Sequence, residues 1–119
     1  MNATEVRREV KETIGKYKSY KRKINKFCKG EVICLQYEKG IVDLIDYTLA
    51  EIKEDCKESG NLEKFEMFFK YYFDGRSLKS ICYDYMVVSE SSISRPVNGV
   101  ATKFVELIHE LQEAIHKTA

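Results

Sequence analysis

Proline and glycine are scarce in this sequence of 119 residues, which contains one proline, Pro96, and six glycines. Both residue types interrupt regular structure, and a β-sheet protein of this length needs many tight turns in which they are common. Few interruptions favour long helices instead. Because hydrophobic residues make up 44% of the chain, it can bury a substantial core, and wholesale disorder is not expected. The composition therefore predicts an all-α protein.

Long apolar runs are also absent. No segment approaches the roughly 20 consecutive apolar residues that a membrane-spanning helix requires. The N-terminal residues Met1–Glu5 do not begin the apolar core of a signal peptide. We therefore expect a cytoplasmic protein with no membrane partner.

Motifs typical of enzymes and metal sites are missing. The cysteines form no Cys-x-x-Cys pair, and a reducing cytosol disfavours disulfides, so we expect buried or partly buried thiols. His109 and His116 are seven residues apart, which is wide for a shared metal ion. There is no glycine-rich phosphate loop and no nucleophile elbow. The sequence predicts a protein that is not an enzyme and has no cofactor or metal. The four cysteines are Cys28, Cys34, Cys56 and Cys82.

The net charge of +1 conceals an uneven distribution. Only Glu9 and Glu12 oppose the basic residues between Arg7 and Lys29, whereas acidic residues dominate between Glu31 and Glu66. Two interpretations stay open: the basic segment contacts nucleic acid, or a basic helix packs against an acidic one. On the first interpretation, Arg22, Lys23 and Lys26 are candidate phosphate contacts. The ten basic residues of the segment are Arg7, Arg8, Lys11, Lys16, Lys18, Lys21, Arg22, Lys23, Lys26 and Lys29.

Apolar residues recur with helical spacing along most of the chain. We expect an N-terminal helical region (1–60) and a C-terminal region (61–119) that together form one compact unit. The aromatic-rich third helix carries more aromatic rings than one helix face can hold. Several of its faces should therefore be buried, which places this helix at the centre of the bundle. The segment Val32–Tyr37 is interpreted as a connector, and periodicity leaves the conformation of residues 31–40 open. The predicted helices are Thr4–Phe27, with a stop at Lys29-Gly30, one that follows Gly40 and stops near Ser59-Gly60-Asn61, Leu62–Phe73, Leu78–Tyr85, and one that begins at Glu90; a long amphipathic tail follows Pro96.

Two segments of the C-terminal region resemble the helix-turn-helix in region 4 of bacterial sigma factors. In Tyr72–Cys82, an aromatic pair, an acidic residue and a glycine precede a serine-capped helix with Leu78 and Ile81. Cys82 stands where the family usually has a small alanine. Ser89 is expected to cap the helix that begins at Glu90, and Ser89–Arg95 is similar to the start of the family's recognition helix. The resemblance covers about a third of the chain and implies binding to double-stranded DNA.

In size and layout the chain also resembles the ArpU-like regulators of phage and prophage genes, which place a basic helical region before such a motif. This resemblance implies a transcriptional regulator of phage or mobile-element type, with RNA polymerase as a further partner.

The recognition helix of such a motif presents its first turns to the major groove of DNA. Arg95 can bond guanine bidentately, and Ser91, Ser92 and Ser94 can reach bases or phosphates. Lys79 is a further candidate DNA contact on the preceding helix. Ile81, Tyr85 and Ile93 are the residues expected to face inward and to hold the two helices together.

The sequence departs from the family pattern at three points. The turn is one residue longer and has Met86-Val87-Val88 in place of the usual glycine. Pro96 falls inside the expected recognition helix, which predicts a short or bent helix. The motif is also nearly neutral, so phosphate affinity would have to come largely from the basic N-terminal segment.

These departures leave other functions open. One alternative is a protein-interaction module that keeps a degenerate helix-turn-helix, and another is a DNA-packaging adaptor of a phage. The apolar stripe from Val97 to His116 could pack on the protein's own core or form a homodimer through the C-terminal helix.

Overall fold

The computed structural model describes residues 1–27 and 35–118, and the regular structure in these ranges is entirely helical. The prediction of an all-α fold is therefore confirmed for the described part of the chain. The helices are α1 (Ala3–Phe27), α2 (Gln36–Glu58), α3 (Leu62–Tyr72), α4 (Leu78–Tyr85) and α5 (Ser91–Thr118).

The start of α2 differs from the prediction. Gln36 and Tyr37 do not belong to a connector but form the first turn of α2, and Gly40 lies inside this helix. The backbone N–H of Lys39 already donates to the carbonyl of Leu35 at 2.8 Å, so helical hydrogen bonding is established before the glycine. The predicted stop at Lys29-Gly30 and the connector residues 32–34 lie outside the described residues.

The aromatic helix α3 lies at the centre of the bundle, as predicted, and packs against all four other helices. The rings of Phe68 on α3 and Phe104 on α5 have centroids 5.5 Å apart, and both side chains are fully buried. Phe68 also packs against Tyr72 and Phe73 at the end of α3. The contact between Phe68 and Phe104 joins the third helix to the last one.

Both halves of the chain contribute to the same hydrophobic core. Helix α5 runs through it and buries its apolar stripe against its own bundle as far as Ile108. On α1, the apolar residues with helical spacing are buried from Val6 to Tyr17, and Ile24 still packs against the core, whereas Phe27 in the last turn is exposed. Cys56 and Cys82 are buried thiols, as expected, whereas Cys28 and Cys34 lie outside the described residues. The α1 and α5 core residues include Val6, Val10, Ile14, Tyr17, Val97, Val100, Ala101, Phe104 and Ile108.

Glycine ends two of the helices. Gly60 has a positive φ of 75°, and the N–H groups of Gly60 and Asn61 bond back to the carbonyls of Lys57 and Cys56, which closes α2. Gly75 has a φ of 69° just after α3. Both stops were predicted, and both depend on a backbone conformation that glycine adopts without steric cost.

Within the described ranges, none of the helices combines the length and the apolar character needed to cross a membrane.

Candidate nucleic-acid interface

Ser77 caps the first helix of the candidate motif, as predicted. Its backbone is extended (φ −72°, ψ 156°), and its Oγ accepts a hydrogen bond from the backbone N–H of Ser80 at 3.1 Å. A serine at this position satisfies one of the N–H groups that have no partner inside the helix. Helix α4 therefore begins at Leu78 for a local chemical reason.

Met86 ends α4 in the left-handed conformation, with φ 54° and ψ 40°. Its N–H approaches the carbonyl of Tyr83, and the N–H of Val87 bonds to the carbonyl of Cys82 at 3.1 Å. This is the hydrogen-bond pattern of a glycine-terminated helix, formed here by a residue with a side chain. The turn keeps the geometry of the missing glycine at a conformational cost of about 1–2 kcal/mol.

Ser89 organises the beginning of α5. Its Oγ accepts a hydrogen bond from the backbone N–H of Ser91 at 3.3 Å and lies 2.7 Å from the Ser91 hydroxyl. Its carbonyl accepts from the N–H of Ser92 at 3.1 Å. The predicted role of Ser89 as a cap is confirmed, although α5 begins at Ser91, one residue later than expected.

The inner side of the α4–α5 unit is apolar. Ile81 and Ile93 are fully buried, and Cys82 is buried with its Sγ 3.8 Å from the carbonyl of Ser89. The prediction that Ile81 and Ile93 face inward is confirmed. Tyr85 is only half-buried, because its hydroxyl reaches outward and donates to Glu66 at 3.2 Å.

The outer side of the same unit is polar and open. Ser91, Ser92 and Arg95 are exposed, whereas Ser94 is half-buried. Ser92 and Ser91 precede Arg95 by three and four residues, so the three side chains share one helix face. Lys79 on α4 is exposed as well. The start of α5 therefore combines a buried anchor, Ile93, with an accessible polar face.

Pro96 does not end the last helix. It is half-buried and lies inside α5, which continues to Thr118. The expectation of a short recognition helix is wrong, because Ile93 and Val97 on either side of the proline are buried in the core and hold the chain in place. The proline still leaves the carbonyl of Ser92 without its usual helical N–H donor.

Arg76, one of the few cations of the motif, is paired with a carboxylate. Arg76 forms two hydrogen bonds with Asp84, one of them from Nη2 to Oδ1 at 3.0 Å, and Lys70 donates to Oδ2 at 2.9 Å. Arg76 also donates to the Ser80 hydroxyl at 2.8 Å. Hydrogen bonds from Arg76 and Lys70 hold the pKa of Asp84 well below its usual range. These two cations stabilise the junction of α3 and α4.

The candidate phosphate contacts on α1 lie far from the start of α5. Arg22, Lys23 and Lys26 are exposed within two turns of Tyr20, whose ring packs on Tyr37 with centroids 6.2 Å apart. Tyr37 in turn lines a cavity with Ile115 and His116 near the end of α5. Position 115 follows Arg95 by 20 residues, or about 30 Å of helix. The fold therefore does not bring the candidate phosphate contacts of α1 close to the candidate DNA contacts at the start of α5.

The basic helix α1 does pack on the acidic helix α2. A polar contact between them is made by the Tyr17 hydroxyl, which donates to Asp46 at 2.6 Å while Lys21 donates to the same hydroxyl at 3.1 Å. Burial and the bond to Asp46 raise the pKa of Tyr17. No ion pair joins α1 to α2 in residues 1–27 and 35–118, so direct charge pairing does not explain the basic segment there.

A cleft beside Arg95 contains two cations that sequence reasoning did not select. It has a volume of about 290 Å³ and is lined by Lys64 of α3 and by Arg95, Gly99 and Lys103 of α5. Arg95, Gly99 and Lys103 follow one another at intervals of four residues, which places them on one face of α5. This spacing could be seen in the sequence. The approach of Lys64 depends on how α3 packs against α5.

Comparison of the chain with protein-family models, with curated proteins and with solved structures found no match.

Proposed function

We propose that this protein is a non-catalytic, double-stranded-DNA-binding regulator of transcription, of the kind found in phages and mobile elements. The start of α5 enters the major groove, with Arg95 reading a base edge and Ser91 and Ser92 bonding bases or phosphates. Ser94 is half-buried and has a smaller part in these contacts. Such a regulator acts in the cytoplasm, with RNA polymerase as a second partner.

One observation carries the proposal. A short capped helix and a left-handed turn precede α5, whose first turns expose two serines and an arginine while Ile93 behind them is fully buried. A recognition helix needs this combination, because its side chains must reach base edges while its other side stays fixed to the protein. Lys79 is exposed on α4 and is proposed to add a backbone contact.

Fluorescence anisotropy tests the proposal, first with a labelled duplex of mixed sequence and then with sites selected from a randomised library. Affinity should fall steeply between about 50 and 200 mM salt. Arg95→Ala should cost about 1–3 kcal/mol at selected sites and less at random ones. Lys117→Ala, which removes an exposed cation from the other end of the same helix, is the matched control and should leave sequence preference unchanged.

An exposed apolar turn supports a second candidate, a protein-interaction module. Tyr83, Met86 and Val88 are 75%, 92% and 100% exposed around the α4–α5 turn. Exposed apolar side chains that lie close together often mark contacts with another protein. If no duplex binds at about 50 mM salt, where non-specific DNA affinity is high, the regulator proposal is contradicted and the interaction module is favoured.

A further inference from the structure

The cleft between α3 and α5 gathers positive charge from separate parts of the chain. Lys64 comes from the first turn of α3, whereas Arg95 and Lys103 come from the first half of α5. Gly99 lies between the two α5 cations, and no atom stands within 4 Å of where its Cβ would be. The absent side chain leaves the middle of the cleft open.

Among the residues that the structure describes, every charged residue lining this cleft is a cation. No carboxylate lines it among the described residues, and no ion pair in residues 1–27 and 35–118 involves Lys64, Arg95 or Lys103. All three side chains are exposed. Lys103 also borders a neighbouring cleft that contains Asp55, Glu106 and Glu110, which limits the positive region on that side.

The buried thiol of Cys56 lines the same cleft as the two lysines. Burial raises the pKa of Cys56, while Lys103 and Lys64 both oppose this rise. Ser59 and Asn61 add polar groups to the rim, with the Asn61 amide donating to the Ser59 hydroxyl at 3.3 Å.

We infer that Lys64, Arg95 and Lys103 form a phosphate-binding cleft that holds the backbone of a DNA duplex beside the recognition helix. The inference rests on the proposed function, because Arg95 belongs both to the cleft and to the polar face of α5. A tetrahedral phosphate fits a pocket with several cationic donors and no competing carboxylate. A backbone contact at this position would set the register of α5 in the groove without reading sequence.

The decisive variant is Lys64→Gln/Lys103→Gln, which leaves Arg95 and the serines intact. Its control, Lys39→Gln/Lys53→Gln, makes the same change in net charge at exposed lysines of α2 outside the cleft. With a labelled mixed-sequence duplex of about 20 base pairs, two helical turns, the cleft variant should lose about two units of the salt slope and bind roughly 10- to 100-fold more weakly near 0.1 M salt. The loss should be equal for selected and random sequences.

Several outcomes would overturn the inference, and they differ from those that overturn the proposed function. If the wild type binds DNA and the cleft variant binds as the control does, the cleft is not a backbone site, although the regulator proposal stands. If both double variants weaken binding equally, net charge alone accounts for the effect. Thermal melting of both variants shows whether they remain folded.

A second experiment distinguishes the two possible sources of the phosphate group, the backbone of a DNA duplex and free inorganic phosphate. Inorganic phosphate is titrated into the full-length protein while the backbone amide signals of Lys64 and Lys103 are followed by NMR, with the cleft variant as reference. Local shifts that the variant abolishes, together with duplex binding, support the inference. Shifts without duplex binding contradict DNA as the source, and their absence at any phosphate concentration contradicts a phosphate site.

Discussion

The ammonium group of Lys18 on α1 donates a hydrogen bond to the backbone carbonyl of Phe73, 55 residues further along the chain, at 2.7 Å. Phe73 is the C-terminal cap of α3, where carbonyl groups lack helical partners and the helix dipole favours a cation. The ring of Phe73 also meets Tyr17 edge-on, with centroids 5.8 Å apart. Part of the positive charge of α1 therefore has a structural role.

Replacing Lys18 by methionine should lower the free energy of unfolding by about 1 kcal/mol, since a charge-assisted hydrogen bond is lost while the aliphatic chain is kept. Urea denaturation measures the change. Lys11→Met, at an exposed position of the same helix, should be neutral within a few tenths of a kcal/mol. Equal effects of the two substitutions would mean that the Phe73 contact contributes nothing.

The Arg76–Asp84 pair should make stability depend on pH. The folded state depresses the pKa of Asp84, so its stabilisation is fully present above the unfolded pKa of about 3.9 and is lost as pH falls below this value. Thermal melts followed by circular dichroism from neutral pH down to about pH 2 measure the loss. Asp84→Asn should melt at a lower temperature at neutral pH and show a smaller decrease on acidification. A variant with the same acid dependence as the wild type would contradict this assignment.

Glycine at position 86 should stabilise the protein. Met86 has a φ of 54° and is 92% exposed, so the substitution removes backbone strain without loss of packing. We expect a gain of about 0.5–1 kcal/mol in the free energy of unfolding, measured with urea, after the greater flexibility of glycine in the unfolded chain is counted. Val88→Gly is the control: Val88 is fully exposed but has no positive φ, so it should gain nothing. A loss of stability in Met86→Gly would show that the side chain matters.

Alanine at position 96 should also stabilise the protein, because it restores an N–H donor facing the carbonyl of Ser92 inside a continuous helix. The expected gain in unfolding free energy is about 1–3 kcal/mol. A loss of stability would indicate that α5 depends on a proline-induced bend.

The basic end of α1 should contribute to binding only on long DNA. Arg22, Lys23 and Lys26 lie toward the far end of α5, and about 30 Å of helix, close to the length of one duplex turn, separates that end from Arg95. Arg22→Gln/Lys23→Gln/Lys26→Gln should lower the salt slope by two to three units on about 20 base pairs and leave binding to about 10 base pairs unchanged.

The matched control for this variant is Arg7→Gln/Arg8→Gln/Lys11→Gln, which removes three exposed cations from the other end of α1. On the duplex of about 20 base pairs, this control should change the dependence of affinity on salt concentration less than the triple variant at Arg22, Lys23 and Lys26 does. Equal losses in the two triple variants would contradict a defined contact at the end of α1.

The candidate interface was predictable where its chemistry is local. Ser77 bonds to Ser80, and Ser89 bonds to Ser91, so both caps could be read from adjacent residues. The inward positions Ile81 and Ile93 followed from helical spacing. The prediction went wrong at Pro96, because burial of the residues around it outweighs the cost of one missing hydrogen bond.

The sequence by itself determined the helical class, most helix ends, the two serine caps and the exposed serines and arginine at the start of α5. All of these depend on interactions within about one helical turn. Tertiary structure decided which charged side chains bond to other parts of the protein and which cations from distant parts of the sequence lie close together. The approach of Lys64 to Arg95 and Lys103, the contact of Lys18 with Phe73 and the separation of Arg22 from Arg95 all depend on how helices pack. Packing results from the summed burial of many side chains, a property that no short stretch of sequence contains.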